Sequence, residues 1–252
     1  MEQPVKAIIT DLDRTLLHTD KSVSEHTLDV LQRCRDKGIL IMAASARPLR
    51  EIKVYNDIIG FDAITAINGA TVSLPNGIFE FGISCETGEK ILESILHYPD
   101  IFLSVETNKG LYSNRDIPEW QPVVYDKFPT LPNDIVLYKI LASSEQRNIY
   151  DRIETVLSDE VYHTIANGVL IQIMSREATK LNGIKHMLSY FDVSLDQAVY
   201  FGDDNDDIEP IKRCGLGIAV SNAIPSVRNV ADQIIDSNDR DGVAKFIETT
   251  IL

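Results

Sequence analysis

The sequence predicts an α/β protein in which a doubly wound, Rossmann-like parallel sheet carries an inserted α+β domain. Three observations predict this fold class. Short apolar runs alternate with helical patterns in the first part of the chain, as in the crossover units of a parallel sheet. Hairpin signals replace this alternation in the middle, which is typical of an antiparallel sheet. After Met174 the alternation resumes, so both ends of the chain are expected to build one domain.

The first crossover unit begins with a predicted strand at 7–10, a short run of apolar and β-branched residues. The helix that follows is expected to begin at Ser22 or Ser24, because either hydroxyl can cap it, and Ser22 with Glu25 has the form of a capping box. Gly38 is expected to end this helix.

The second and third strands are predicted at 39–44 and 63–67, where apolar runs recur. Between them, Pro48 is well placed to open a helix and Gly60 to close it. Strands that alternate with helices in this way form right-handed crossovers, so these strands are expected to be parallel.

The middle of the chain, residues 82–176, is predicted to be the inserted domain. Leu74-Pro75-Asn76-Gly77 lies just before it and indicates a hairpin, and Asn167-Gly168 is a second hairpin signal. Several prolines between residues 118 and 132 predict a loop-rich stretch. The expected helices and strands of this domain lie at 91–96, 101–107, 135–142, 146–157, 161–166 and 169–174.

The end of the chain completes the first domain, which is therefore predicted to comprise residues 1–81 and 177–252. The expected elements here are a helix at 179–190, strands at 198–201, 216–220 and 233–235, and a terminal helix around 243–247.

Composition and charge exclude several classes of protein. With 252 residues, 44% of them hydrophobic and 25% charged, the chain can bury a sizeable core. The formal net charge of −14 disfavours nucleic acid and anionic membranes as partners, and no apolar run approaches the length of a membrane span. No signal-type segment precedes the first strand, so a cytoplasmic protein is expected. The scattered cysteines, Cys34, Cys85 and Cys214, are expected to be core or surface residues.

Carboxylates follow two of the predicted strands. Asp11 and Asp13 come directly after the first strand, and an acidic run from Asp203 to Asp207 follows the strand at 198–201. In an open parallel sheet, ligands bind in the crevice at the carboxyl ends of the strands. If these two strands are neighbours, the sequence predicts that their carboxylates converge on one crevice.

Other kinds of site fit these motifs poorly. A calcium-binding loop starting at Asp203 would need glycine where Ile208 stands and glutamate where Cys214 stands. Gly215-x-Gly217 lacks the third glycine of a dinucleotide-binding loop, because Val220 occupies that position, and no Walker-type motif occurs.

Two of three further candidate residues gain meaning from their position. Taken singly, Ser45, Arg47 and Lys180 have ordinary interpretations as a helix cap, a surface charge and a solvated helix residue. Ser45 and Lys180, however, lie beside strand ends or helix starts of the same domain as the carboxylates. Carboxylates in one crevice repel each other unless a cation joins them, and an all-oxygen site suits Mg²⁺. Serine and lysine are suited to binding a phosphoryl oxygen.

These motifs occur together in an order and spacing that identify a family. They are Asp11-Leu12-Asp13-x-Thr15-Leu16, Ser45 before Arg47-Pro48, Asn68-Gly69-Ala70, Lys180, and Phe201-Gly202-Asp203 through Asp207. Over its whole length the chain resembles the haloacid dehalogenase-like phosphatases, and in particular the Cof-type branch, whose α/β cap is inserted between the second and third motifs. The resemblance implies the fold of that family and activity on phosphoric monoesters.

The resemblance also implies covalent phosphoryl transfer. Asp11 would attack phosphorus and form an aspartyl-phosphate, and Asp13 would protonate the leaving oxygen and then activate water. Thr15 would support this phosphate-binding loop. Magnesium would be held by the Asp11 carboxylate, the Asp13 main-chain carbonyl and Asp203, with Asp207 bound directly or through water.

The resemblance further implies how the substrate is bound. Ser45 would bind the transferring phosphoryl group, while Lys180 would balance its charge and orient Asp11. Arg47 and Asn68 are candidate substrate contacts, although a structural role is an equal alternative for each. The expected ligand is a small phosphorylated metabolite, by resemblance a sugar phosphate, over which the cap would close and set specificity.

Three positions depart from the usual pattern of the family. Arg14 stands where glycine is commonest, Leu181 where a glycine often follows the lysine, and Asp206 where asparagine is usual. Asp206 adds negative charge near the phosphate and metal, and Arg14 is expected to offset it in part.

Two other functions are compatible with the same residues. One is a phosphotransferase or mutase that uses the same aspartyl-phosphate, and the other is a phospho-ligand sensor in which Asp11 stays phosphorylated. The inserted domain and the acid/base group Asp13 both favour turnover over a stable phosphorylated state. A monomer or weak homodimer is expected.

Overall fold

The computed structural model describes residues 4–146, 149–166 and 168–252. The chain forms two compact units, of which the first combines Met1–Phe79 with Thr179–Leu252 and the second is Glu80–Ala178. The sequence predicts these two boundaries after residue 81 and after residue 176, and the structure has them after Phe79 and after Ala178.

The helices and strands have the following bounds. The strands are β1 (Ala7–Thr10), β2 (Leu40–Ala44), β3 (Ala63–Ala66), β4 (Thr71–Leu74), β5 (Gly77–Glu80), β6 (Phe102–Thr107), β7 (Gly110–Ser113), β8 (Val123–Val124), β9 (Leu137–Ser143), β10 (Val161–Ala166), β11 (Leu170–Ser175), β12 (Ala198–Gly202), β13 (Leu216–Val220) and β14 (Gln233–Ile235). The helices are α1 (Glu25–Asp36), α2 (Leu49–Ile59), α3 (Cys85–Ile95), α4 (Ile149–Glu154), α5 (Lys180–Tyr190), α6 (Ile208–Arg213), α7 (Pro225–Arg228) and α8 (Gly242–Thr250).

The first unit is built on an eight-stranded sheet in the order β14-β13-β12-β1-β2-β3-β4-β5. The strands from β14 to β3 are parallel, and β4 runs antiparallel to β3. Thr10 at the end of β1 pairs with Phe201 near the end of β12. The two acidic segments that follow these strands therefore begin at the same edge of the sheet, and the predicted α/β fold with a parallel core is confirmed.

Helix α1 of the first unit packs against α8 and β2, and helix α5 packs against α6 and β3. The side chain of Ser24 caps α1 by accepting a hydrogen bond from the Thr27 amide at 3.0 Å. The alternative cap at Ser22 is wrong, because that hydroxyl instead contacts Asp20. Among the described residues, no helix combines the length and apolar character needed to cross a membrane.

The second unit has a six-stranded sheet in the order β10-β11-β9-β6-β7-β8. Its pairs are antiparallel except β7 with β8, which are parallel. Helix α3 packs against α4 and β9, and their apolar side chains join those of the strands in one core. The predicted α+β character is therefore present.

Several expectations for the second unit need correction. The stretch expected to be loop contains the two-residue strand β8, and β7 was not predicted. The helix expected at 146–157 is helical over Ile149–Glu154, and residues 147 and 148 lie outside the described part of the chain. The hairpin of β10 and β11 is confirmed, although Asn167 of its predicted turn lies outside the described residues.

Candidate active site

The site begins at the end of β1, where the chain leaves the sheet. Asp11 has an extended backbone, and its amide donates a hydrogen bond to the Phe201 carbonyl of β12 at 2.9 Å. The chain then makes a wide turn over Leu12–Leu16, in which Arg14 has a left-handed backbone with φ 61°. This turn places Asp11, Asp13 and Thr15 next to the end of β12.

Three carboxylates form a buried cluster at this edge of the sheet. Three carboxylate oxygens lie within 4.8 Å of one another, one each from Asp11, Asp203 and Asp207. The three residues are 6%, 4% and 0% exposed. The Thr15 hydroxyl donates a hydrogen bond to Asp203 at 3.0 Å and so ties the turn after β1 to the segment after β12. The Asp13 carboxylate is not part of this cluster of described residues.

Lys180 enters the cluster from the start of α5. Its Nζ atom donates to Asp11 Oδ1 and to Asp207 Oδ1, both at 2.7 Å. Burial lowers the pKa of Lys180, but Asp11 and Asp207 outweigh this effect and raise it above its ordinary value. The ammonium group is therefore charged and bridges two of the three carboxylates.

The absence of a side chain at Gly69 permits this position of α5. A Cβ atom at Gly69 would meet main-chain atoms of Thr179, whose hydroxyl caps α5 by accepting from the Asn182 amide at 3.2 Å. Gly69 also has φ 105°, a left-handed backbone that favours glycine. The close approach of the two backbones brings Lys180 to the carboxylates.

Burial and repulsion between the carboxylates disfavour the ionised forms of Asp11 and Asp203. Burial raises the pKa of Asp11 well above its ordinary value, although Lys180 opposes the shift. Burial and the charge of Asp207 raise the pKa of Asp203 to about 6, against the hydrogen bond from Thr15. When all are ionised, three carboxylates face one buried ammonium group and the largely exposed guanidinium group of Arg14, 3.8 Å from Asp203, so negative charge is in excess. A buried set of carboxylate oxygens with this excess charge fits a hard divalent cation.

Asp207 is held by more donors than any pattern in the sequence indicated. Besides Lys180, it accepts hydrogen bonds from the main-chain amides of Asp203 and Asp204 at 2.9 Å and 3.0 Å. The Tyr200 hydroxyl also donates to Asp207, at 2.5 Å, and burial raises the pKa of this phenol well above its usual range. Sequence reasoning missed Tyr200, for which the only signal was a hydroxyl-bearing residue inside an otherwise apolar strand.

Asp13 lies beside the cluster between two cations. Arg47 donates to both carboxylate oxygens of Asp13, at 2.5 Å and 2.7 Å, and Lys21 donates to one of them at 2.6 Å. Burial raises the pKa of Asp13, but the hydrogen bonds from Arg47 and Lys21 lower it below its ordinary value. The predicted residues Asp13 and Arg47 thus contact each other, and Lys21 is an additional partner that no motif indicated.

Ser45 and Asn68 lie at the ends of β2 and β3. Ser45 is 1% exposed, and its hydroxyl accepts a hydrogen bond from the Arg47 amide at 3.2 Å. The Asn68 amide donates to the Ser45 carbonyl at 3.0 Å, so the two loops are joined through the main chain. The Asn68 side chain donates to the carboxylate of Asp206. All nine predicted site residues therefore lie at the carboxyl edge of the sheet or at the adjoining start of α5.

The chain is similar to known proteins over almost its full length. A family model described as haloacid dehalogenase-like hydrolase matches residues 8–247. A Bacillus subtilis protein named 5-amino-6-(5-phospho-D-ribitylamino)uracil phosphatase YitU is 26% identical, with 98% of each chain covered. A phosphoglycolate phosphatase of Methanopyrus kandleri is 25% identical, with 95% of this chain and 94% of the relative covered. A crystal structure of a haloacid dehalogenase-like hydrolase from Bacteroides thetaiotaomicron has a TM-score of 0.83 at 21% identity, covering 97% of this chain and 99% of that one.

Proposed function

This chain belongs to the haloacid dehalogenase-like hydrolases and is a phosphatase that acts on phosphate esters, and from that premise we propose its mechanism. We propose a Mg²⁺-dependent phosphomonoesterase that hydrolyses a small phosphorylated metabolite through an aspartyl-phosphate. The observation that carries this proposal is the buried cluster of Asp11, Asp203 and Asp207 around the ammonium group of Lys180. Such a cluster combines a nucleophile, a charge-balancing cation and an excess of negative oxygen ligands.

The metal would be held by oxygen atoms alone. The candidate ligands are the carboxylates of Asp11 and Asp203 and the main-chain carbonyl of Asp13, with Asp207 bound directly or through water. The excess of negative charge in the buried cluster supports a divalent ion, and all-oxygen ligation supports Mg²⁺. A bound Mg²⁺ would neutralise charge on the phosphoryl oxygens during transfer.

Asp11 is the proposed nucleophile. A carboxylate oxygen of Asp11 attacks phosphorus while the bond from phosphorus to the leaving oxygen breaks, which forms an aspartyl-phosphate and releases the alcohol. Water then attacks the phosphorus atom, which releases inorganic phosphate and regenerates the Asp11 carboxylate. Lys180 supports this role because its hydrogen bond fixes one oxygen of Asp11 and compensates the charge of the phosphoryl group. Ser45 would donate to a phosphoryl oxygen, and Thr15 would keep the turn after β1 in place.

Asp13 is the proposed acid and base. It would give a proton to the leaving oxygen in the first step and take one from water in the second. Arg47 and Lys21 stabilise the ionised form of Asp13, which suits the second step. The first step needs the protonated form. We therefore propose that Arg47 breaks its hydrogen bonds to Asp13 when Arg47 contacts a phosphoryl oxygen of the substrate.

The proposed substrate is a small, soluble phosphate monoester, with a sugar phosphate as the first class to test. The named relatives act on a phosphorylated ribityl compound and on phosphoglycolate, which are both small phosphorylated metabolites. The net charge of −14 supports the same view, because it disfavours polyanions such as nucleic acid. We propose that the protein works in the cytoplasm as a monomer or weak homodimer.

Release of inorganic phosphate from p-nitrophenyl phosphate tests the mechanism. The reaction is measured with MgCl₂ and with EDTA, for the parent protein and for Asp11→Asn. We expect turnover that needs the metal and falls by at least about a thousandfold in Asp11→Asn, because the variant lacks the nucleophilic oxygen anion. Asp57→Asn is the matched control, since Asp57 is an exposed aspartate that pairs with Lys53 on α2, away from the carboxylate cluster.

The outcomes separate the proposal from its alternatives. Activity that persists in EDTA, or that survives in Asp11→Asn, would contradict the proposed mechanism. Transfer of phosphate to an acceptor sugar, without release to water, would identify a phosphotransferase or mutase. A phosphorylated protein that persists for many minutes would identify a phospho-ligand sensor.

A further inference from the structure

Four cationic side chains of the described residues lie around the carboxylates of the site, and three of them make short hydrogen bonds to the proposed catalytic carboxylates. Lys180 bridges two carboxylates, and Arg47 uses two of its nitrogens on Asp13 while it lies 5.4 Å from the centre of the Tyr55 ring. Lys21 contacts Asp13 at 2.6 Å. These three cations compensate the charges of the proposed catalytic groups.

Arg14 is the fourth cation, and it is engaged only weakly. Within the described residues, its guanidinium group makes one hydrogen bond, to the Asn222 carbonyl at 3.3 Å, and one ion pair, to Asp203 at 3.8 Å. The side chain is 57% exposed. A guanidinium group has five N–H donors in a planar fork, so most of its donors are available to a ligand.

The backbone holds Arg14 in this place at a conformational cost. Its φ of 61° is in the left-handed region that favours glycine. The Asn222 side chain donates to the Arg14 carbonyl at 2.8 Å, and Asn222 is itself fixed because its amide oxygen accepts from the Asn238 amide at 3.1 Å. Arg14 is thus clamped through its main chain, while its side chain makes only long contacts at the rim of the carboxylate cluster.

The ion pair with Asp203 explains why the Arg14 guanidinium group is expected to bind another anion. Asp203 is the only carboxylate among the described residues with which Arg14 pairs, and it is a proposed metal ligand. Once the charge of Asp203 is shared with a divalent ion, its attraction for the guanidinium group weakens. The exposed fork of Arg14 is then matched by a planar or tetrahedral oxyanion, which it can bind through two parallel hydrogen bonds.

From this geometry we infer that Arg14 binds a second oxyanion of the substrate, distinct from the transferred phosphoryl group. The preferred substrates are therefore phosphate monoesters that carry a carboxylate or a second phosphoryl group. This inference rests on the proposed phosphatase function and narrows its substrate class. Arg14 is a specificity-determining residue in this account, and the residues around Asp11 carry out the transfer.

Matched substrate pairs test the inference. The pairs are phosphoglycolate with 2-hydroxyethyl phosphate, 3-phosphoglycerate with glycerol 3-phosphate, and fructose 1,6-bisphosphate with fructose 1-phosphate. We expect the parent enzyme to prefer the member that carries a second anionic group, in at least one pair, by about tenfold or more in kcat/KM. This is the size typical of a hydrogen-bonded charge pair. Arg14→Gln and Arg14→Gly should lose this preference, and Arg14→Lys should keep part of it.

Two controls keep the result interpretable. Arg240→Gln removes an arginine that is 73% exposed and pairs with Asp236 at 3.9 Å, and it should leave the preference unchanged. Affinity for Mn²⁺, measured by titration of each purified variant, reports on the metal site separately from catalysis.

Three results would overturn the inference. They are equal kcat/KM values within every pair for the parent, a preference that survives in Arg14→Gln, and an equal fall for both members of a pair together with altered Mn²⁺ affinity. The last result would mean that Arg14 acts on the metal and not on the substrate. If none of the six substrates is turned over while p-nitrophenyl phosphate is hydrolysed, the inference is also overturned. If p-nitrophenyl phosphate is not hydrolysed either, the proposed function itself fails.

Discussion

The hydroxyl of Tyr200 shows how a single buried donor supports the carboxylate cluster. Tyr200 is fully buried in β12 and donates to Asp207, which is also fully buried. We expect Tyr200→Phe to lower the free energy of unfolding by about 2 kcal/mol, since a hydrogen bond to a charged group is lost. Urea denaturation measures this change. Tyr190→Phe is the control, because Tyr190 is 41% exposed and has no hydrogen bond among the described residues; equal losses in both variants would contradict the role of the Tyr200 hydroxyl.

Asp206 permits a second test at the scale of one residue. Its carboxylate lies on the Asn68 side of the site and adds a negative charge where an anionic substrate is proposed to bind. We expect Asp206→Asn to lower the inhibition constant of inorganic phosphate by about two- to fivefold, the size of an exposed charge interaction. The replacement amide keeps an oxygen that can accept from Asn68. Glu209→Gln removes an exposed charge from α6 and should leave the constant unchanged; an equal effect of both variants would show that only the overall field matters.

At the scale of secondary structure, the junction between β3 and α5 determines where Lys180 lies. We expect Gly69→Ala to lower the free energy of unfolding by about 3 kcal/mol, because the new Cβ atom both meets the backbone of Thr179 and strains a left-handed residue. Gly77→Ala is a matched control, since Gly77 has φ 144° and no atom lies within 4 Å of the place that a methyl group would take. It should cost about 1 kcal/mol. Similar losses in both variants, measured by urea denaturation, would mean that the approach of α5 to β3 is unimportant.

Sequence patterns predicted elements whose boundaries are marked, including the three-residue strand β14, but missed β7, which is as long as β1. Strands β1, β2 and β13 and helices α2 and α5 lie close to their expected positions, because apolar runs and Gly or Pro boundaries mark them. The two-residue strand β8 and the short helix α7 are too short to produce any period. Their positions depend on contacts made elsewhere in the fold.

The candidate site was predictable to a similar extent. The carboxylates at the ends of β1 and β12 are visible in the sequence, but their convergence depended on the pairing of these strands, which only the sheet order establishes. The partners Lys21 and Tyr200 were not predicted, although each lies within eight residues of the carboxylate that it contacts. These contacts depend on how the turns after β1 and β12 fold back, which apolar periodicity does not indicate.

At the scale of the whole molecule, the stability of the protein should depend on pH and Mg²⁺ together. Burial and Asp207 raise the pKa of Asp203 from its ordinary value of 3.8 to about 6. In the absence of metal, and at pH values between 3.8 and about 6, the folded state therefore holds a proton on Asp203 that the unfolded state has lost. The contribution of Asp203 to stability is present below the ordinary pKa and is lost as the pH rises through about 6. The raised pKa of Asp11 acts in the same direction.

A bound divalent cation should reverse this trend, because it needs the ionised carboxylates. We expect MgCl₂ to raise the melting temperature clearly at about pH 7.5 and little at about pH 5, where protons compete with the metal for Asp203. Thermal unfolding with and without MgCl₂ at both pH values measures the effect. In Asp203→Asn the increase should largely disappear at both pH values, since one metal ligand has lost its charge. An increase of equal size at both pH values, retained in Asp203→Asn, would place Mg²⁺ binding outside the carboxylate cluster.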